Sequence, residues 1–315
     1  MDLSASIQGL LRGGGDEVTK YLEEVKVKLD IDGTKGIAHC YCLQLDGNRR
    51  AKVKSFADFI TYKIVEYSIP RSQIDAANNH YRVTGSTSET SKLEVKARRL
   101  FTHLKNSGEG GEILLYILAQ EILKLPQLFC KMSLKTNSEM HFHGVDGIHT
   151  DYDSGTGDLF LYWGEPKLHK NISTAISSCF SSIKSYLVTP DGADSPQERD
   201  IQLLRDGIDL SNDQLEIAIA RFFDKDDAMY NKLKYRGVCL VGFDCDKYPL
   251  KDNSEVDIAA LKTLIEEEVE GWVKSLSKAI GKHVQLETYD IHIFLLPFPS
   301  VQDFRDKFIN AVTLA

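Results

Sequence analysis

The sequence lacks long hydrophobic runs. No stretch approaches the roughly 18 consecutive apolar residues of a membrane span. The segment Met1–Gly15 has no basic flank followed by an apolar run, so no secretory signal is expected. The six cysteines form no CxxC pair, which argues against a zinc ribbon. Together these absences predict a protein of the reducing cytoplasm without membrane contact.

Several catalytic motifs are also missing. There is no GxxxxGK[ST] segment, so the chain is not expected to be an ATPase. There is no GxSxG elbow of the α/β-hydrolase kind. The glycine-rich segment at residues 108–111 lacks the preceding strand that a dinucleotide-binding loop requires. The chemistry must therefore be sought elsewhere in the chain.

An excess of positive charge is absent too, since the formal net charge is −8. Proteins that grip DNA unaided usually present a basic surface, because neutralising phosphates supplies much of their affinity. Here the basic residues are confined to local clusters, Arg49, Arg50, Lys52 and Lys54 in one and Lys92, Lys96, Arg98, Arg99 and Lys105 in another. If the substrate is DNA, the charge suggests that another component delivers or holds it.

The first 95 residues have the pattern of an α+β region. The polar stretch Gly85–Lys92 has the composition of a loop and is the best candidate for a boundary. We therefore predict an N-terminal region at residues 1–95, able to contact a partner, and a second domain at residues 96–315. The elements predicted before the boundary are helices over 18–27 and 56–66 and strands over 39–45 and 52–56.

The second part predicts a helix, three strands and another helix. Apolar periodicity and turn chemistry indicate these elements and those that follow. They are a buried helix from Glu112 that Pro126 ends, strands over 129–134, 141–150 and 159–167, a helix over 172–187, a strand over 238–243, a helix over 256–280, a strand over 291–296 and a helix from Val301.

Glu165 and Lys167 form the most informative pattern. Residues two apart on a strand project from the same face. The Glu165 oxygen and the carbonyl of the intervening Pro166 suit Mg²⁺ or Mn²⁺, which take oxygen ligands. The lysine can hold an attacking water or stabilise charge on a phosphate. Asp146, on the neighbouring predicted strand, would supply the second carboxylate.

Two further carboxylates compete for a place in this site. Asp158 is seven residues before Glu165, so it points to the opposite face unless a bulge at Gly164 changes the parity. Glu112, at the start of the buried apolar helix, is predicted as a fourth catalytic residue and metal ligand. Its alternative role is to cap the first turn, where a helix dipole favours negative charge.

The order of these elements matches the PD-(D/E)XK, or restriction-endonuclease-like, core: an α/β fold with a mixed central sheet and flanking helices. Four strings make the resemblance closer. They are GGEILLY at 110–116, HGVDGIH at 143–149, LYWGEPK at 161–167 and VGFD at 241–244, and they resemble the HamA family, the nuclease subunit of the bacterial Hachiman anti-phage system. This resemblance runs from about residue 96 to the C terminus and leaves the first 95 residues unassigned.

The resemblance implies a Mg²⁺-dependent DNA nuclease that a helicase partner, HamB, holds in check until that partner senses aberrant DNA. It implies Glu165 and Lys167 as catalytic residues, Asp146 as a metal ligand and Glu112 as the helix carboxylate. Docking on a partner that moves along DNA would also account for the acidic net charge.

Two other functions stay open at this point. His141, His143, Asp146 and His149 resemble the HxHxDH loop of metallo-β-lactamase-like zinc hydrolases, although the spacing differs on each side of the aspartate. Strand parity also sets His143 and His149 opposite Asp146. The other alternative is a non-catalytic interaction module on a nuclease fold that has lost its activity. Such a loss usually removes the catalytic lysine or one of the acidic residues, and here the lysine and the acidic residues are all present.

Overall fold

A computed structural model describes residues 1–101, 108–129, 147–188, 195–249 and 255–313. Its strands are β1 (Leu22–Asp30), β2 (Gly36–Leu43), β3 (Gln127–Phe129), β4 (Gly147–Asp153), β5 (Asp158–His169), β6 (Leu233–Asp244) and β7 (Ile291–Phe298). Its helices are α1 (Leu3–Gln8), α2 (Val53–Tyr62), α3 (Ile64–Ser68), α4 (Arg71–Thr84), α5 (Ser88–Arg99), α6 (Glu109–Glu121), α7 (Ile172–Leu187), α8 (Pro196–Gly207), α9 (Asp213–Ala220), α10 (Ile258–Ile280) and α11 (Val301–Thr313).

All seven strands belong to one mixed sheet, in the order β1-β2-β7-β6-β5-β4-β3. Strands β2, β7, β6 and β5 are parallel neighbours, whereas β1 and the β4–β3 pair add antiparallel strands at the two edges. The parallel strands read as continuous apolar runs because helices cover both of their faces. The predicted α/β class with a mixed sheet is therefore confirmed, while its assignment to the PD-(D/E)XK type stays a prediction.

Helices α6 and α7 cover opposite faces of β5. A Cβ on Gly111 of α6 would lie 2.7 Å from Leu168 Cδ1 and 3.4 Å from Pro166 Cβ. On the other face, the Trp163 ring lies 5.5 Å from that of Tyr186 in α7. Because side chains alternate along a strand, even-numbered residues of β5 face α6 and odd-numbered residues face α7.

Two elements predicted near the N terminus are wrong. Residues 18–27 are not a helix, because most of them lie in β1, where the valines at 25 and 27 and Leu29 alternate with charged residues at the two-residue period of a strand. Residues 52–56 are not a strand but the start of α2. Its buried residues Val53, Phe56, Ala57 and Ile60 follow the spacing of one helix face.

The N-terminal strands and the later strands share the sheet. β2 pairs with β7 in parallel over five residue pairs, from Gly36↔Ile291 to Cys40↔Leu295. The predicted boundary between residues 95 and 96 falls inside α5. The sheet thus joins elements from both sides of that boundary, and a division into two domains there stays a prediction.

A buried lysine ties the N-terminal region to α6. Lys63 Nζ contacts Glu17 and lies 3.6 Å from Glu66 and 3.7 Å from Glu121. Burial alone would lower the pKa of Lys63, but these carboxylates outweigh it and the pKa is raised. Glu121 also accepts a hydrogen bond from the Val18 amide at 2.8 Å. The cluster therefore fixes the position of α6 relative to the segment before β1.

We expect Gly111→Ala to destabilise the fold by about 1–3 kcal/mol, because the new methyl group would overlap Leu168. Leu168 has little room to turn away, since it is buried and packs against the main chain of Gly242, where even a Cβ would lie only 2.8 Å from its Cγ. The measurement is the urea midpoint of unfolding. Gly271→Ala in α10 is the matched control: no atom lies within 4 Å of its added Cβ, so it should stabilise the helix by about 0.5–1 kcal/mol. Equal effects of the two substitutions would contradict the close approach of α6 to β5.

Candidate active site on β5

The main chain of β5 fixes the positions of Glu165 and Lys167. Its pairing with β4 runs without a shift from Asp153↔Asp158 to Gly147↔Gly164. Its pairing with β6 continues through Glu165↔Cys239 and Lys167↔Val241. Both side chains therefore project from the face that α7 covers, as the two-residue spacing predicted.

Glu165 and Lys167 form a short ion pair. Lys167 Nζ lies 2.6 Å from Glu165 Oε1, and the two side chains are 29% and 6% exposed respectively. The carboxylate is thus shielded from bulk water, while the lysine side chain is partly exposed. A charge-assisted contact between a buried carboxylate and an ammonium is stronger in such surroundings than in water.

Cys179 of α7 supports this part of β5 and was missed in the sequence. Its thiol donates to the main-chain carbonyl of Glu165 at 3.3 Å. Burial, followed by the neighbouring Cys239 thiol and the charge of Glu165, raises the pKa of Cys179 well above its usual value. The thiol therefore stays protonated and keeps its donor role. The only signal in the sequence was a cysteine within the small-residue helix at 172–187.

Glu112 lies on the helix that covers the other face of the sheet. Its carboxylate accepts a hydrogen bond from Tyr67 Oη at 3.1 Å. Tyr116, one turn later in α6, packs edge-on against the Tyr67 ring with a centroid separation of 5.5 Å. The role of Glu112 as catalytic residue and metal ligand stays a prediction.

Of the two candidates for the second carboxylate, only Asp158 is described. It lies 3.8 Å from Lys232 at the start of β5, seven residues from Glu165 and on the opposite face. The pairing through Gly164 is continuous on both edges, so no bulge there reverses the parity. Asp158 is thus a structural residue. Asp146 lies outside the described residues, and its sequence neighbour Gly147 pairs with Gly164, the residue before Glu165.

The family model of HamA matches residues 18–312, nearly the whole chain. The chain belongs to the HamA family. The match extends well before residue 96, so the sequence-based limit on the resemblance was wrong, and the matched range includes β1 and β2. A comparison with curated proteins finds no match. Within the described residues, none of the helices is both long and apolar enough to span a bilayer.

In this HamA chain the described residues offer little to a zinc ion. Across the ranges that the structure covers, no three His, Cys, Asp or Glu side chains are grouped to hold a metal. His149 is buried, and its Nδ1 lies 2.9 Å from the Leu125 carbonyl oxygen. His141 and His143 fall outside the described residues. The zinc alternative is untested, but the environment of His149 is that of a core histidine.

Burial lowers the pKa of His149 to about 4, although its hydrogen bond with the Leu125 carbonyl opposes the shift. The folded state therefore holds the imidazole neutral, while the unfolded chain protonates it near pH 6.5. The contribution to stability is present above about pH 6.5 and is lost as the pH falls toward 4.

We expect His149→Gln to reduce this pH dependence. Between about pH 6.5 and 4 the native chain should lose on the order of 2–3 kcal/mol more stability than the variant. Urea unfolding at several pH values measures the difference, with His80→Gln on the surface of α4 as the control. If the variant and the native chain lose stability in parallel, His149 is not a neutral core histidine.

Proposed function

We propose that this HamA protein is a metal-dependent deoxyribonuclease, the effector of a Hachiman anti-phage complex in which a helicase partner holds it inactive. The observation that carries the proposal is the Glu165–Lys167 pair, a buried carboxylate 2.6 Å from the ammonium of a partly exposed lysine on one face of β5. Membership of the HamA family supports the defence role, and the pair supports the chemistry.

The described residues of the site supply some of the oxygen ligands that a hard divalent cation requires. Glu165 brings a carboxylate and Pro166 a main-chain carbonyl, and such oxygens are the ligands of Mg²⁺ and Mn²⁺. The described residues do not group three ligands, so the proposal requires Asp146 as the second carboxylate. A bound Mg²⁺ would supply Lewis acidity and lower the pKa of a coordinated water.

The other steps of the proposed hydrolysis would depend on the chain's own residues. With a cation beside it, Glu165 would exchange part of its contact with Lys167 for that ligand, leaving the ammonium able to donate to water or phosphate. Lys167 can then orient the water that attacks phosphorus and stabilise the negative charge that develops on the phosphate oxygens. The Cys179 thiol keeps the Glu165 main chain in position during this exchange.

The charge of the chain supports a partner-dependent enzyme. A net charge of −8 gives little attraction for the phosphate backbone of DNA. A helicase that already holds DNA would supply this affinity, and it could also withhold the strand until activation. The cytoplasm is the compartment where such a complex would meet phage DNA.

We expect the double variant Glu165→Ala/Lys167→Ala to lower the rate of plasmid cleavage at least about 100-fold. Removing both members avoids leaving a buried charge without its partner, so folding should be nearly unchanged. The assay uses chain freed of its helicase subunit, with Mg²⁺ or Mn²⁺, and thermal unfolding is recorded in parallel.

Asp158→Asn is the matched control for this variant, because Asp158 lies on the same strand but faces Lys232. Its cleavage rate should stay within about twofold of the native value. Nicking that persists in the double variant would refute the assignment of the pair. Native chain that cleaves no DNA under any activating condition would favour a non-catalytic interaction module.

Asp146→Asn should weaken Mn²⁺ binding by about 10–100-fold and abolish cleavage, because an amide is a poorer ligand than a carboxylate for a hard cation. Calorimetric titration of Mn²⁺ measures the affinity independently of catalysis. Asp151→Asn, four residues into β4 from Gly147, is the control and should bind Mn²⁺ normally. Unchanged Mn²⁺ affinity in Asp146→Asn would exclude this carboxylate as a ligand.

A further inference from the structure

Helices α4 and α5 form a hairpin that adds little to the hydrophobic core. Over their combined length the buried residues are Ala77 and Ala97, both small. Ile74 and Leu93 pack partly buried against the core, but other large apolar side chains point outward: Tyr81 is 52% exposed, Val83 is 76% exposed and Val95 is 49% exposed. A helical hairpin whose apolar side chains face solvent is typical of a surface that another protein covers.

The hairpin is nevertheless held firmly at its base. Arg71 Nη2 donates to the Leu10 carbonyl at 2.6 Å, and Ser72 Oγ donates to Asp209 at 2.6 Å. At the C-terminal end of α5, Arg98 donates to the Ala311 carbonyl of α11 at 3.0 Å. Such contacts fix the orientation of the hairpin before any partner binds, which lowers the entropic cost of docking.

One face of α5 forms a groove of about 700 Å³. The residues that line it recur at the three- and four-residue spacing of a single helix face. They are Ser88, Ser91, Lys92, Val95, Lys96, Arg99 and Leu100. Val95, Leu100 and the methylene stems of the basic residues provide an apolar floor, and the charged ends provide a basic rim.

We propose that this groove docks an acidic amphipathic helix of a protein partner. The apolar residues of that helix would cover Val95 and Leu100, and its carboxylates would meet Lys92, Lys96 and Arg99. Helix-in-groove recognition combines an apolar stripe with flanking charges in this way. The basic stripe stands out on a chain of net charge −8, so the complementary partner surface is acidic.

The groove suits a protein helix better than duplex DNA. An apolar floor gains by being covered with apolar side chains, whereas DNA offers mainly phosphates. Lys92 contacts Glu89 at 2.7 Å, and Lys96 donates to Gln73 of α4 at 2.8 Å, so part of the rim is already engaged within the hairpin.

The test uses the full chain and the helicase subunit proposed above as the probe, and to that extent it rests on the proposed function. The variants are Lys92→Glu/Lys96→Glu, which reverses the rim, and Val95→Asp, which disrupts the floor. Lys274→Glu is the matched control: Lys274 is 67% exposed with one glutamate partner on its helix, and Lys92 is 71% exposed with one as well.

We expect each groove variant to weaken binding of the helicase subunit at least about tenfold, and Lys274→Glu to change it less than about twofold. The affinity of native chain should fall with added salt, and the loss should be smaller for the rim variant. Free groove variants should cleave DNA like native free chain, but should escape inhibition when the helicase subunit is added.

Normal helicase binding by both groove variants would overturn the docking assignment, as would native chain that does not bind the subunit at all. Weaker binding of a duplex oligonucleotide with unchanged helicase affinity would identify a DNA surface instead. A loss of self-association alone, measured by light scattering, would identify a contact between copies of the chain. Absence of cleavage by native chain with docking intact would overturn the nuclease proposal and leave the docking assignment standing.

Discussion

The pairing of β5 with strands on both of its edges is the constraint on which the candidate site depends. β4 and β6 hold β5 in a single register, and a slip of one residue would turn Glu165 and Lys167 toward α6. Gly164 makes this register tight, because a Cβ there would lie 2.9 Å from the Gly147 carbonyl oxygen. Residues 164–167 thus contain both the ion pair and the glycine whose close contact with β4 fixes the orientation of that pair.

Catalysis and regulation are assigned to different parts of the chain. The ion pair lies within the sheet, on the face covered by α7, where burial strengthens its electrostatic contact. The proposed docking groove lies on a helical hairpin whose only fully buried residues are two alanines. Changes on the hairpin should therefore alter the proposed partner binding while leaving the sheet intact.

Local patterns predicted the elements around the site well. The helix at 172–187 was predicted to the residue, since Asn171 caps it and its apolar and small residues follow one face. The strand predicted over 159–167 is observed over Asp158–His169. β1 was mistaken for a helix although its apolar and charged residues alternate at the period of a strand, and its pairing with β2 confirms the strand.

The sequence could not predict the contacts of the site that depend on which face of the sheet each helix covers. The apolar segment that begins at Glu112 predicts a buried helix, but it does not predict that this helix packs against Pro166 and Leu168. The contact of Cys179 with the Glu165 carbonyl likewise arises from the path of the chain between β5 and α7, and neither residue alone signals it. Parity along one strand, by contrast, correctly set Asp158 apart from the pair.

The position of β7 has a consequence for how the chain is made. This strand follows β2 and β6 in the chain and is therefore synthesised after both, yet it lies between them and pairs in parallel with each. Until it leaves the ribosome, β2 and β6 each present an open edge, and such edges invite pairing between chains. The sheet can close only after β7 has been synthesised, through contacts of long sequence separation that form slowly. A chain without β7 would therefore be prone to aggregation and unable to assemble the complete sheet around β5.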